Sequence, residues 1–295
     1  MKENIEDFFR MNLFRPIDPF LKEYYSTKNI EISKNQILDY SEEVKHGMRI
    51  LKSKKIIVTG LIYNAESQIE YLKKWYSTLK SLCKECHMVI VENNSTDRTR
   101  EFCKKWKKEN PEFIHLVCES IHCDRDWQVS YDKSPFSIRI RKMAFLRNKY
   151  VEYISKNFDK QHFDNVFVMD FDLRGTLFWD GIFHSMFQFF HNPSIDVIAC
   201  NGILAGSLLY YDSFAYAKDK SELRWNSLID KQNHDQDVLQ YTSRKYQTSI
   251  EMDKVFSAFG GFCIYNFKTF RGKRYGYEEN RFACEHCIYH EIGRA

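Results

Sequence analysis

Val166-Phe167-Val168-Met169-Asp170-Phe171-Asp172 is a run of four apolar residues leading directly into two carboxylates. A short continuous apolar run bounded by polar residues is the pattern of a strand buried on both faces. Side chains alternate across a strand, so Asp170 and Asp172 are expected on one side and Phe171 on the other. Two hard oxygen ligands at that separation suit Mn2+ or Mg2+. These ions take one or two carboxylates and keep positions for water and phosphate oxygens. The competing reading is a pair of solvated aspartates at the start of a loop.

The same pattern recurs on both sides of this run. Upstream, Ile56-Ile57-Val58 ends in Thr59-Gly60 and reads as a buried strand. Ile69, Leu72, Tyr76, Leu79 and Leu82 then repeat at three-to-four-residue spacing, which predicts an amphipathic helix from Ala65 to about Leu82. Met88 to Val91 predicts a second strand, Phe102, Cys103 and Trp106 a helix stopped at Pro111, and Ile114 to Val117 a third strand. Cys118 to Phe136 has no period and is expected to be a functional loop. Met143, Leu146, Tyr150, Val151 and Ile154 mark the helix before the Asp-Phe-Asp strand. After it, Trp179 to Phe190 predicts a helix and Asp196 to Cys200 a strand. Strands alternating with helices of this length mean an α/β fold, a mostly parallel sheet flanked by helices. Ligands of such sheets bind beyond the carboxyl ends of the strands, where the polar clusters of this chain fall. The chain from about Asn201 is less regular and is expected to complete one side of the cleft. Residues 1–53 read as an N-terminal helical extension, with helices around Phe8 to Leu21 and Ile37 to Leu51, packed on the larger part 54–295.

Composition narrows the function. The chain has 295 residues, 43% apolar and 28% charged, so it is neither a disulfide mini-scaffold nor a mainly disordered chain. Its net charge of +4 suits a small anionic ligand and falls short of a nucleic-acid footprint. No apolar stretch is long enough for a transmembrane helix, and the charged N-terminus lacks the apolar core of a signal peptide. Nine cysteines, an odd number in a chain of this size, read as reduced thiols in a cytosol-like compartment.

Further clusters carry candidate chemistry. Glu92-Asn93-Asn94-Ser95-Thr96-Asp97-Arg98-Thr99 offers short acceptors for ribose or base groups, or simple helix capping. Arg139, Arg141, Lys142, Arg147 and Asn148 form a cationic cluster that could face a diphosphate, and Arg147 falls near the apolar stripe of its helix. Cys284 to Glu291 holds Glu285, an acid or base, beside His286 and His290, which share a helical face at i, i+4 and could supply a metal ligand. The pairs Cys83/Cys86 and Cys284/Cys287 would together suit a zinc site. Tyr211 to Tyr216 and Ser257 to Phe262 combine aromatics with one acid and Gly260-Gly261, a mixture suited to a sugar ring or to bulky core packing. Asp235 and Asp237 are further acidic candidates for a base.

Taken in order, Tyr63-Asn64-Ala65-Glu66, Glu92 to Thr99 and Asp170-Phe171-Asp172 look like the nucleotide-sugar half of a GT-A glycosyltransferase. More narrowly, Glu92 to Thr99, Arg139 to Asn148, Tyr211 to Ala215, Phe259 to Phe262 and Cys284-Glu285 resemble the fungal capsule α-1,3-mannosyltransferase family, over about residues 55 to 291. The resemblance implies metal-dependent transfer of a sugar from a nucleotide-diphosphate donor to a hydroxyl of a glycan acceptor, with Mn2+ or Mg2+ as cofactor. It implies a nucleotide-sugar half at 54–172 and an acceptor and catalytic half at 173–295. It gives Tyr63, Glu92 and Asp97 to the nucleoside, Arg141 or Arg147 to the phosphates, Asp170 and Asp172 to ribose and metal, and Glu285 or a nearby histidine to the reacting centre. Members of that family are less acidic at the Asp-x-Asp position and are membrane-anchored, whereas a full Asp-Phe-Asp stands here and no anchor is expected. The expectation is therefore a cytoplasmic enzyme of microbial or viral type. The alternatives are a nucleotidyltransferase making a nucleotide sugar, which the lack of a glycine-rich, lysine-containing loop after the first strand disfavours, and a non-catalytic sugar-binding or zinc-stabilised module.

Overall fold

The computed structural model describes residues 34–121, 135–159, 162–173, 177–202, 210–223, 233, 236–238, 252–277 and 283–292. The expected helix at Phe8 to Leu21, most of the aperiodic segment after Cys118, and Asp235 lie outside them.

The fold is α/β. Its elements run α1 (Lys34–Leu51), β1 (Lys55–Ile62), α2 (Ile69–Leu82), β2 (Glu85–Asn93), α3 (Thr99–Glu109), β3 (Ile114–Glu119), α4 (Pro135–Phe158), β4 (Asn165–Met169), α5 (Trp179–His191), β5 (Val197–Ala199), β6 (Phe262–Asn266), α6 (Phe267–Phe270) and α7 (Glu285–Ile292). The six strands form one sheet in the order β3-β2-β1-β4-β6-β5. β1 pairs in parallel with β2 and β4, and β2 with β3, while β6 is antiparallel to both its neighbours.

Alternation along the strands builds two cores. Ile56 and Val58 of β1, Met88 and Ile90 of β2, and Phe167 and Met169 of β4 pack on one face with α1, α2, α3 and α5. Ile57, Val89, Val91, Val166 and Val168 pack on the other with α4, α6 and α7. Strands with both faces covered need no polar face, which is why they read as continuous apolar runs.

Several local readings differ from the structure. The helix expected from Ala65 starts as a 3-10 turn, Glu66–Gln68, and becomes α-helical at Ile69. β6 was not expected: its Phe262-Cys263-Ile264-Tyr265 follows Gly260-Gly261 and reads as the tail of a turn, yet it is buried between β4 and β5. α1 is a full layer of the main core, with Val44 and Leu51 completely buried. It is held to α5 by the Tyr40 hydroxyl, which donates to Asp180 at 3.0 Å, and by the contact of His184 with Glu43 at 2.8 Å.

Candidate functional site

The sheet order places a topological switch point between β1 and β4, where the chain departs to opposite sides and a crevice opens beyond the strand ends. The loop after β1 and the loop after β2 meet on one side of this crevice. Asn64, at φ 46°, accepts from the Thr96 amide at 2.8 Å, and Ser95 Oγ accepts from the Asn64 amide at 3.1 Å. Asp97 accepts from the amides of Glu66 at 3.1 Å and Thr99 at 3.0 Å. Glu92 is completely buried, paired with Arg100, and accepts from the Ser95 amide at 2.8 Å. The oxygens of Glu92 and Asp97, which the resemblance gives to the nucleoside, are thus already engaged: Asp97 ties the two loops together, and Glu92 braces its own loop against Arg100 of α3. Tyr63 stands half exposed beside them. An open depression of about 560 Å3, lined by Glu66, Ser67, Ile69, Glu70, Asp97 and Phe102, adjoins these loops and includes none of the carboxylates described next.

On the other side, acidic residues from three segments gather about one arginine. Asp170 follows β4 directly, its amide donating to the Gly261 carbonyl at 3.1 Å. Phe171 is buried in the α2/α5 face, and Asp170 turns to the α4 face, as alternation requires. Arg147 of α4, only 3% exposed, reaches Asp170 Oδ1 through Nη2 at 3.3 Å and Glu285 Oε1 through Nε at 3.0 Å. The Tyr211 hydroxyl donates to Asp170 Oδ2 at 3.3 Å. Asp212 follows in the left-handed region at φ 64°, and Asp172 is exposed at the rim.

The electrostatics are crowded. Burial raises the Asp170 carboxyl above its usual range, Arg147 opposes this, and Asp172 adds to it. Burial raises Asp212 further, with Asp170 and Glu285 adding and Arg147 and Arg139 opposing. Asp212 is the member that sequence reasoning underweighted; its signal was the lone acid in an aromatic run.

Neither arginine that the resemblance offers to the phosphates stands open. Arg147 lies under Asp170, and Arg141 is 7% exposed, its guanidinium 4.5 Å from the Tyr277 ring centroid. Arg139 of the same helix is exposed.

The two histidines need correction as metal ligands. They share a face of α7, as their spacing predicts, but that face is turned into the core. His290 bonds Ser257 Oγ through Nδ1 and the Tyr265 hydroxyl through Nε2, each at 2.9 Å. His286 stacks on Phe259 at 3.9 Å, and burial, with Arg147 adding, holds its pKa well below the usual value, so it stays neutral. Gly260 and Gly261 serve close packing within the chain: a Cβ would stand 2.2 Å from the Cys200 carbonyl at the first and 3.1 Å from the Tyr211 ring at the second. The two Cys-x-x-Cys pairs do not form a four-cysteine site, since Cys86 packs on one face of the sheet and Cys284 and Cys287 on the other. Asp237 is exposed.

Among the described residues no three or more His, Cys, Asp or Glu side chains already enclose a metal position. The donors that converge here are carboxylate oxygens, the set that suits a hard divalent cation using one or two protein ligands and completing its shell with phosphate and water. Burial raises Asp170 and Asp212 and the neighbouring carboxylates add to it, a repulsion that such a cation would relieve. The donor set therefore fits Mn2+ or Mg2+ through Asp172 and Asp170, and does not fit a histidine-bound metal.

No family model and no curated protein matches this chain. Among solved structures it is similar to S. aureus TarS 1-349, at 15% identity and a TM-score of 0.45 over 81% of this chain and 55% of that one. It is also similar to the mannosyltransferase PcManGT from Pyrobaculum calidifontis in complex with GDP-Man and Mn2+, at 12% identity and a TM-score of 0.38 over 79% and 52%. A third is the mannosyltransferase Ktr4p from S. cerevisiae, at 13% identity and a TM-score of 0.31 over 84% and 71%. The chain spans about half the length of the first two. Likeness at this level transfers neither residues nor activity.

Proposed function

We propose that the chain is a GT-A-type glycosyltransferase that moves a sugar from a nucleotide-diphosphate donor to a hydroxyl of a glycan acceptor, assisted by Mn2+ or Mg2+. The observation that carries this reading is the gathering of Asp170, Asp212 and Glu285 around Arg147, with Asp172 beside Asp170, at the switch point of a mostly parallel sheet. Asp172, exposed at the rim, and Asp170 behind it would hold the cation together with the diphosphate. The bound cation would offset charge developing on the departing diphosphate, a kind of electrostatic contribution whose removal costs about 10²–10³ in rate. The paired loops at Tyr63–Glu66 and Ser95–Thr99 form a rigid floor beside it for the nucleoside. Glu285 Oε1 is committed to Arg147, and Oε2, approached by the Cys284 thiol at 3.5 Å, is the oxygen that would receive the acceptor hydroxyl. None of the eight described cysteines is paired in a disulfide, which supports a reducing compartment such as the cytosol. Among the described residues no helix is long and apolar enough to cross a membrane.

The test is thermal unfolding with UDP, GDP, CDP or dTDP, each with Mn2+ and with chelator. One nucleotide at about 100 times its Kd should add roughly 2.7 kcal/mol, a rise of several degrees that chelation removes. Because Asp172 is exposed, Asp172→Asn should stay within about 0.5 kcal/mol of wild type without ligand, yet lose the metal-dependent shift and sugar transfer. No shift with any nucleotide, or full transfer by Asp172→Asn, defeats the reading. Pyrophosphate release from a nucleoside triphosphate and a sugar phosphate would move it to nucleotidyl transfer.

A further inference from the structure

The geometry points to Arg147 and Asn148 as a bracket by which α4 fixes the C-terminal segment, and with it Glu285, against Asp170; Arg147 is a positioning residue and not a donor-phosphate ligand. The inference rests on the glycosyl-transfer reading for its catalytic consequence, though not for the bracket itself.

Glu285 is the first residue of α7, a helix of only eight residues that is 138 residues away from Arg147 in sequence. So short a helix does not hold itself in place and depends on tertiary contacts for its position. Its inner face is seated by His286, Tyr289 and His290, and two neighbouring side chains of α4 fix its start and the backbone that leads to it. Arg147 grips the start of α7 through Glu285 at 3.0 Å and the end of β4 through Asp170 at 3.3 Å. Asn148 grips the backbone that leads toward α7: its Nδ2 donates to the Tyr275 carbonyl and its Oδ1 accepts from the Tyr275 amide, each at 2.8 Å. A side-chain amide that satisfies both backbone groups of one residue fixes that residue as an added strand would.

The surroundings exclude the alternative use of the arginine. The Arg147 guanidinium is 5.1 Å from the Phe259 ring and 5.8 Å from the Tyr275 ring, with its remaining nitrogen, Nη1, buried against them and without a hydrogen-bond partner. A diphosphate would have to displace Asp170 or Glu285 to reach it. A planar fork with two carboxylates on adjacent edges also sets their spacing, which a lysine cannot do.

Arg147→Met, Arg147→Lys and Asn148→Ala test this on the full chain with two readouts. Amide hydrogen exchange over residues 284–292 should quicken at least tenfold in Arg147→Met and in Asn148→Ala, whether or not the protein is active. In transfer assays kcat should fall by about 10²-fold for Arg147→Met, the effect of misplacing a reacting group by about 1 Å, with the donor KM kept within threefold and part of kcat recovered in Arg147→Lys. If Arg147→Met does not fold, Asn148→Ala, which leaves all charges in place, carries the test with a smaller fall in kcat and the same exchange signature. Unchanged exchange in α7, or a tenfold rise in donor KM with kcat intact, overturns the bracket. Faster exchange in a protein that transfers no sugar even as wild type would overturn the transferase reading and leave the bracket standing.

Discussion

Gly60→Ala tests the packing that supports the carboxylates. Gly60 lies in β1 beside the end of β4, and a Cβ there would stand 1.9 Å from the Met169 carbonyl oxygen and 3.2 Å from Cδ1 of Phe171. The first contact is with backbone, which cannot rotate away, so the strand ends must part by about 1 Å before the contact becomes tolerable. Parting them strains the bond from the Phe171 amide to the Leu61 carbonyl, now 3.1 Å, whose loss costs about 1 kcal/mol. Overpacking around Phe171, 2% exposed, adds about 1–3 kcal/mol, so the expected destabilisation is about 2–4 kcal/mol. Asp170 follows Met169 directly, and a comparable shift would take it out of reach of Arg147. That should lower transfer by about 10²-fold at a temperature where both proteins are folded. Urea unfolding gives the first quantity and initial rates the second. A variant as stable as wild type would refute the close approach of β1 and β4, and one that is destabilised but fully active would remove Asp170 from the reaction.

Two pH predictions follow from the same electrostatics. His115 forms a chain with His87 at 3.1 Å and the Tyr153 hydroxyl at 3.0 Å, and burial, then His87 and Lys107, lower its pKa to about 4. A histidine with a depressed folded pKa leaves the unfolded chain binding more protons, so stability is full above about 6.5 and falls as pH drops toward 4. After allowance for partial exposure the loss is about 2 kcal/mol, and His115→Gln should flatten that limb in urea titrations. Asp212 has the opposite sign: its folded carboxyl is raised, so with chelator present it costs stability as pH rises above the ordinary carboxylate value. Asp212→Asn should therefore be more stable than wild type at neutral pH and equal to it in acid; equal stability throughout would mean that Asp212 is neither desolvated nor set against Asp170 and Glu285.

The strands were legible because continuous apolar runs are local signals. Ile56 to Val58, Met88 to Val91 and Val166 to Met169 each fall inside a strand, and the stripes at Ile69–Leu82 and Trp179–Phe190 fall on helices. β6 was not legible, since four apolar residues after two glycines carry no period that separates a strand from a turn. The histidines show the limit most clearly. Spacing put His286 and His290 on one face of a helix but could not say whether that face met solvent, a metal or Phe259 and Tyr265.

The sequence by itself determined an α/β sheet with two carboxylates at the end of a central strand and Phe171 pointing away from Asp170, because strand burial and alternation are properties of neighbouring residues. Only the tertiary structure decided what meets those carboxylates. Tyr211 lies 41 residues beyond Asp170, and Glu285 lies 138 beyond Arg147. They arrive there because β6 inserts antiparallel beside β4 and α7 docks on α4. The physical reason is that periodicity records which side of an element is buried and carries no information about its partner, which depends on how distant segments pack.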